Sequence, residues 1–155
     1  MNRSYELMTR LLALINGQED APDRDETLDW ERLHMASSAR IAWCLPMERG
    51  ADPELAACAA AIHDIGRIVT GRQKDHAEAG EAPARQFLRD TGLFTDEEVE
   101  LLVNAVKNHS KKTEIGTPIE EAVKDADVID CYQYGMPFDR PEKEERYNAW
   151  LARNR

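Results

Sequence analysis

The stretch that decides the fold runs Asp52-Pro53-Glu54-Leu55-Ala56-Ala57-Cys58-Ala59-Ala60-Ala61-Ile62-His63-Asp64-Ile65-Gly66-Arg67. Asp52 at the N-cap and Pro53 at the first helical position make a strong helix start. The next turns are almost wholly apolar, so the helix reads as buried through Leu55, Cys58, Ala59 and Ile62 to about His63. Its end is the anomaly. A carboxylate buried there, on Asp64, is costly unless a cation compensates it. Adjacent helical residues point ~100° apart. His63 and Asp64 can therefore share one ion only across the helix end, where Ile65-Gly66 turns the chain away.

Outward from that helix the rest of the chain also reads as helical. Alanine occurs 20 times against 14 for valine and isoleucine together, a balance that favours helices over strands. No stretch sustains period-2 alternation. A first helix is expected over residues 4–15, with Leu7, Leu11, Leu14 and Ile15 on one face and Gly17 as the stop. After an acidic loop (18–26), a second spans about 27–45, with the stripe Trp30, Leu33, Ser37, Ile41 and Cys44, and ends at Pro46. A basic, Gly-containing loop is expected over 65–74. The spacing of Asp75 and Glu78 suits a capping box, which opens a fourth helix running to Thr91, dented at Pro83 and stopped at Gly92. Thr95 with Glu98 opens a fifth, burying Val99, Leu102, Val103 and Val106. Thr117-Pro118 with Glu120 opens a sixth, carrying Ala122, Val123, Ala126 and Ile129. A Pro-rich turn (136–141) leads to a short amphipathic helix, about 142–153, with Tyr147, Trp150 and Leu151. The expectation is an all-α, compact bundle of about six or seven helices, one domain over 1–155.

Composition narrows the function. The 155 residues carry 30 acidic and 20 basic side chains, a net charge of −10, so a nucleic-acid polymer is not the expected partner. Charged residues are 32% and hydrophobic ones 42%, and no apolar run nears the ~18–20 residues of a membrane span. Met1-Asn2-Arg3-Ser4 is followed by a mixed polar helix, so no signal peptide is expected. Three cysteines (Cys44, Cys58, Cys131), an odd number without a CxxC pair, argue for a reducing cytoplasm and against a zinc ribbon.

The four histidines carry the chemistry. His34 lies on the inward stripe of its helix, four residues after Trp30. His109 follows Val99, Leu102 and Val106 by ten, seven and three residues, so it points inward as well. His63 and His76 sit at helix ends. A buried imidazole needs a hydrogen-bond partner or a metal. Any one of them alone reads most simply as a satisfied core histidine, but four of four in such positions weaken that reading. Asp127 faces the same way as Val123; flanked by Asp125 and Asp130, it fits a ligand or a solvated helix acid equally well.

The ordered set His34, His63-Asp64, Asp127 resembles the HD superfamily of metal-dependent phosphohydrolases. Their pattern is a His, a His-Asp doublet and a distant Asp. Ala61-Ile62-His63-Asp64-Ile65-Gly66-Arg67 is similar to the HDIG form, and Ala126-Asp127 to the family's distal pair, with the resemblance covering roughly residues 33–132. His76 and His109 resemble the two extra histidines of one branch. The resemblance implies a dinuclear site of divalent transition metals (Fe, Mn, Co, Ni or Zn) bridged by Asp64. It also implies hydrolysis of a small soluble phosphate ester or anhydride, nucleotide-like, by a metal-bound hydroxide. Six side chains are too many for one open catalytic metal but suit two.

Two basic clusters flank these ligands: Arg67, Arg72 and Lys74, then Lys107, Lys111 and Lys112. Arg67, Arg72, Lys107 and Lys112 are the expected phosphate contacts, Arg67 and Lys112 first, set against ordinary solvated loop cations. The positions after Asp64 hold no glutamate of the His-Asp-x-x-Glu kind found in the nucleotidase branch. Trp30, Trp43 and Trp150 read as packing anchors, and the C-terminal helix as a surface for the bundle or a second subunit. Two alternatives accompany the phosphohydrolase: a metal-binding regulatory or sensor domain, and a di-iron oxygenase of the same type.

Overall fold

The computed structural model describes residues 2–154, so Met1 and Arg155, the ends of the expected domain, lie outside it. Among the described residues there are helices and no strand. Seven helices have ten residues or more: α1 (Arg3–Asn16), α2 (Leu28–Cys44), α3 (Pro53–Ile62), α6 (Glu81–Thr91), α7 (Asp96–Asn108), α8 (Pro118–Gln133) and α9 (Pro141–Arg153). Two are shorter, α4 (Ile65–Thr70) and α5 (His76–Ala79).

The alanine-rich α3 is the axis. Every residue from Leu55 to Ile62 is buried, and α1, α2, α7 and α8 pack around it. Alanine leaves room for neighbouring backbones to come close on all sides, which a leucine-rich helix would not. Leu7, Leu11 and Ile15 of α1, Met35 and Ala39 of α2, Leu102 and Val106 of α7 and Val123 of α8 complete this core. The starts read at Asp52, Thr95 and Thr117 are found. Asp52 caps α3 with Pro53 behind it, and Thr95 and Thr117 form complete capping boxes with Glu98 and Glu120. Such a cap contributes ~1 kcal/mol.

Three local expectations are corrected. The buried face of α2 is Leu28, Glu31, His34, Met35, Ser38, Ala39 and Ala42, whereas Leu33 is 53% exposed and Cys44 is exposed. The expected stripe follows large apolar side chains, whereas three of the seven inward residues, Glu31, His34 and Ser38, are polar. Residues 65–70, expected as loop, form α4. Arg24 donates to the carbonyls of Arg67 and Ile68 at 3.2 and 3.0 Å, and Gly71, at φ 73°, closes the helix in the left-handed conformation. The helix expected over 75–91 is split. Asp75 has φ 55° and makes no cap, and the chain divides at Gly80 into α5 and α6. Pro83 has no N–H for the Ala79 carbonyl, so the break falls one turn before it.

Gly66 fixes the short helices in place. A Cβ there would run into the His76 carbonyl, and it would stand 2.7 Å from Gly80 N. Only glycine lets α4 lie against α5, and that packing brings His76 to the end of α3.

Candidate metal centre

Five elements deliver six side chains to one point. His34 comes from mid-α2, His63 and Asp64 from the end of α3, His76 from the start of α5, His109 from just past α7, and Asp127 from α8. His34 Nε2 lies 3.1 Å from His63 Nε2, 3.3 Å from Asp64 Oδ2 and 3.2 Å from Asp127 Oδ1. On the other oxygen of the same carboxylate, His76 Nε2 is 3.1 Å and His109 Nε2 3.5 Å from Asp64 Oδ1. Those two imidazole nitrogens are 2.9 Å apart. Asp64 thus stands between two donor sets and turns one oxygen to each. His34, His63 and Asp64 form one buried group and Asp64, His76 and His109 another.

The outer ring nitrogens fix the tautomers. His63 Nδ1 donates to the Ala60 carbonyl at 2.5 Å, His76 Nδ1 to Gln73 at 2.7 Å and His109 Nδ1 to Val106 at 2.7 Å. His34 Nδ1 donates to Asp130 Oδ2 at 2.6 Å. Carbonyls only accept, so in the neutral rings Nδ1 carries the proton and each Nε2 aims a lone pair inward. Lone pairs of neutral rings facing each other at 2.9 and 3.1 Å repel unless a cation lies among them. Asp64 Oδ1 is buried with no hydrogen-bond partner. The donor set therefore fits a divalent cation on this chain's own geometry, and four imidazoles with two carboxylates suit transition metals.

The same demand for positive charge shows in the ionisation. Burial opposes a charged ring at His63, yet Asp64 and Asp127 outweigh it and hold its pKa up at about 9. His34 is likewise raised despite burial, by Asp127, Asp130 and Asp64. His109 goes the other way, to about 4, chiefly because it is buried. Burial alone would raise Asp64, but Arg67 and the surrounding imidazoles keep it ionised.

Of the four expected phosphate cations, two reach the centre. Arg67 is buried and gives Nη2 to Asp64 Oδ2 at 2.5 Å, Nε and Nη2 to Glu31 at 2.8 and 3.0 Å, and Nη1 to Gln73 at 2.8 Å. Lys112 is buried with its ammonium 2.6 Å from Asp127 Oδ2, leaving Oδ1 to face His34. Arg72 and Lys107 are not brought to the site; exposed Arg72 pairs with Asp23 at 2.6 Å and half-buried Lys107 with Glu81 at 3.0 Å. Sequence reasoning missed Glu31 and Asp130. Each lies one helical turn from a proposed ligand, at His34 minus three and Asp127 plus three, and that spacing was the available signal. It also treated Trp30 as a packing anchor, whereas its indole lies over the His34 ring at 4.9 Å and lines the cleft.

A cleft of about 340 Å³ opens on these groups. Its lining includes Asp64, His76, His109 and Asp127, with Lys112 and Arg67 beside them. Tyr132, Met136 and Phe138 form an apolar side, and Arg140 and Lys143 also line it. No helix among the described residues is long and apolar enough to cross a membrane.

Comparison with known proteins places the chain beside several similar enzymes. Ribonuclease Y of Chlorobium luteolum is 32% identical over 102 residues, covering 66% of this chain and 18% of that protein. Ribonuclease Y of Thermobifida fusca is 31% identical over 121 residues, 77% of this chain and 22% of that one. The bifunctional uridylyltransferase/uridylyl-removing enzyme of Neisseria meningitidis is 42% identical over 91 residues, 59% of this chain and 9% of that one. The chain thus spans less than a quarter of the length of these relatives. No solved structure matches it. The HD domain model matches residues 33–135, a span that contains all six convergent side chains, and the chain belongs to the HD domain family.

Proposed function

We propose that this chain is a metal-dependent phosphohydrolase acting on a small soluble phosphate ester or anhydride. The observation that carries the reading is Asp64, with one carboxylate oxygen turned to each of two imidazole sets and one of those oxygens left without a hydrogen bond. His34, His63, Asp64 and Asp127 would hold one divalent ion, and Asp64, His76 and His109 a second. Such ions supply Lewis acidity toward a phosphoryl oxygen and lower the pKa of water. The family is associated with metal-dependent phosphohydrolases, and the matched relatives are named as a ribonuclease and an enzyme that removes uridylyl groups.

The chain's own residues do the orienting. Arg67, clamped by Glu31 and Gln73, holds Asp64 in place; Lys112 holds Asp127. The four Nδ1–H bonds keep every Nε2 aimed inward before any ion or substrate arrives, so no reorganisation is needed on binding. Both cations also offset negative charge brought in by a phosphate, on a protein whose net charge is −10. A small phosphate suits that net charge better than a nucleic-acid strand, whose binding rests on excess positive charge.

Elemental analysis of protein purified without chelator, followed by turnover of nucleotides and aryl phosphates with Mn or Co, tests the reading. Two metal equivalents and metal-dependent release of phosphate are expected. Metal binding without turnover on any mono- or diester would replace it with the sensor reading.

A further inference from the structure

One side of the cleft is built by a segment beyond the family match. The match ends at residue 135, yet Met136, Pro137, Phe138, Arg140 and Lys143 line the same cleft as Asp64 and Asp127. Phe138 lies flat on Tyr132, with ring centroids 4.9 Å apart and planes 5° from parallel. Tyr147 of α9 braces both, at 4.3 Å from Tyr132 and 5.6 Å from Phe138. Tyr132 nevertheless remains 44% exposed. The Arg140 guanidinium donates from both terminal nitrogens to the Ser110 carbonyl at 3.2 and 3.3 Å. That tie joins the turn to the residue beside His109, linking two residues of the cleft lining.

We propose that residues 136–143 select the substrate. It is a small phosphate monoester carrying a flat aromatic ring, such as a nucleoside monophosphate, with the phosphate at the metal centre and the ring against the Tyr132–Phe138 wall. The inference rests on the phosphohydrolase reading of the same site. The wall is rigid before binding, because each ring is packed on another, so little side-chain freedom is lost when a third ring joins them. The Arg140–Ser110 tie bridges the turn and the chain just past α7 across the cleft lining, which suits a phosphate at the end of a molecule better than one inside a polymer. In the hydrolysis a water oxygen bonds to phosphorus, the bond from phosphorus to the sugar oxygen breaks, and that oxygen leaves with a proton.

The test compares AMP, ribose 5-phosphate and an end-blocked oligoribonucleotide on the Mn-loaded protein, with calorimetric binding of AMP alongside. AMP is expected to exceed ribose 5-phosphate at least tenfold in kcat/KM. Phe138→Ala is expected to raise KM for AMP about tenfold, equal to ~1.4 kcal/mol, at unchanged metal content and thermal midpoint. Arg140→Ala acts in the same direction, more weakly, because it positions the wall from one side. Equal use of the ringless phosphate, or internal cleavage of the blocked oligomer at a comparable rate, overturns the proposal. If no phosphate ester turns over, the phosphohydrolase reading fails, and AMP binding still judges the wall: binding weakened by Phe138→Ala supports it, and absence of binding overturns it.

Discussion

The two ends of α3 carry charged clusters in opposite surroundings. At its N-terminal end, Arg3 meets Glu54 at 2.9 Å, Glu98 at 2.9 Å and Asp52 at 3.6 Å. Those side chains are about a fifth to a half exposed, and water completes whatever the single arginine does not. At the C-terminal end, Asp64 meets Arg67 and four imidazoles with almost no exposure, and one of its oxygens goes without a hydrogen bond. A surface cluster is self-sufficient and modest in energy. A buried one must be completed by something else. The same helix thus ends in a structural staple on one side and, on the other, in a site shaped for a cation.

The strongest way to break this contrast is Asp64→Ala. Both donor sets share that residue, so metal content should fall from two equivalents to below one, and phosphatase turnover by at least a thousandfold. Retention of two metals by the variant would show that Asp64 does not bridge. His76→Ala is the narrower cut. It removes one imidazole from the Oδ1 side only, so stoichiometry should drop from two to one while the His34 side keeps its ion. An unchanged count in elemental analysis would leave a single-metal site.

Glu31→Ala probes the support beneath the ligands. It strips the bidentate partner from a buried guanidinium, and breaking a buried pair in this way costs ~3 kcal/mol. Urea unfolding of the metal-free protein should show a loss of that size. A change below ~1 kcal/mol would mean that Arg67 is satisfied by Asp64 and Gln73 alone.

Legibility differed between helix ends and helix faces. Helix starts were readable because Asp52-Pro53, Thr95 with Glu98 and Thr117 with Glu120 act through local backbone groups. Of the six convergent positions, the four histidines and Asp64 stood out as polar groups in inward or helix-end places, whereas Asp127 fitted a ligand or a solvated helix acid equally well and was singled out by the family resemblance. The face of α2 was not readable. Its inward residues Glu31, His34 and Ser38 are polar, and their partners come from α3, α4 and α8, far away in sequence. Short α4 was missed for a related reason: Arg24, some forty residues earlier, satisfies its last carbonyls. Arg72 and Lys107 looked like site cations because they neighbour ligands in sequence, but α7 turns successive side chains ~100° apart and sends Lys107 to Glu81, while Arg72, in the irregular stretch after α4, reaches Asp23.

The smallest effect belongs to the staple at the other end of α3. Arg3→Ala removes the partner of Glu54 and Glu98, and a part-exposed network of this kind contributes ~1 kcal/mol. The pH dependence has a definite sign. Burial works to raise both carboxyls, but hydrogen bonds from Arg3 outweigh it and hold Glu54 and Glu98 below their ordinary value of 4.5. Their contribution is therefore present above pH 4.5 and is lost as pH falls through the lowered folded-state values. Wild type should be the more stable protein near neutrality, and the two unfolding curves should converge as the solution is acidified below pH 4. The difference should also shrink in ~1 M salt, where the screening length is ~3 Å. A gap that persists at low pH and high salt would mean that Arg3 acts through the packing of its stem on Phe94, whose ring lies 5.4 Å below the guanidinium.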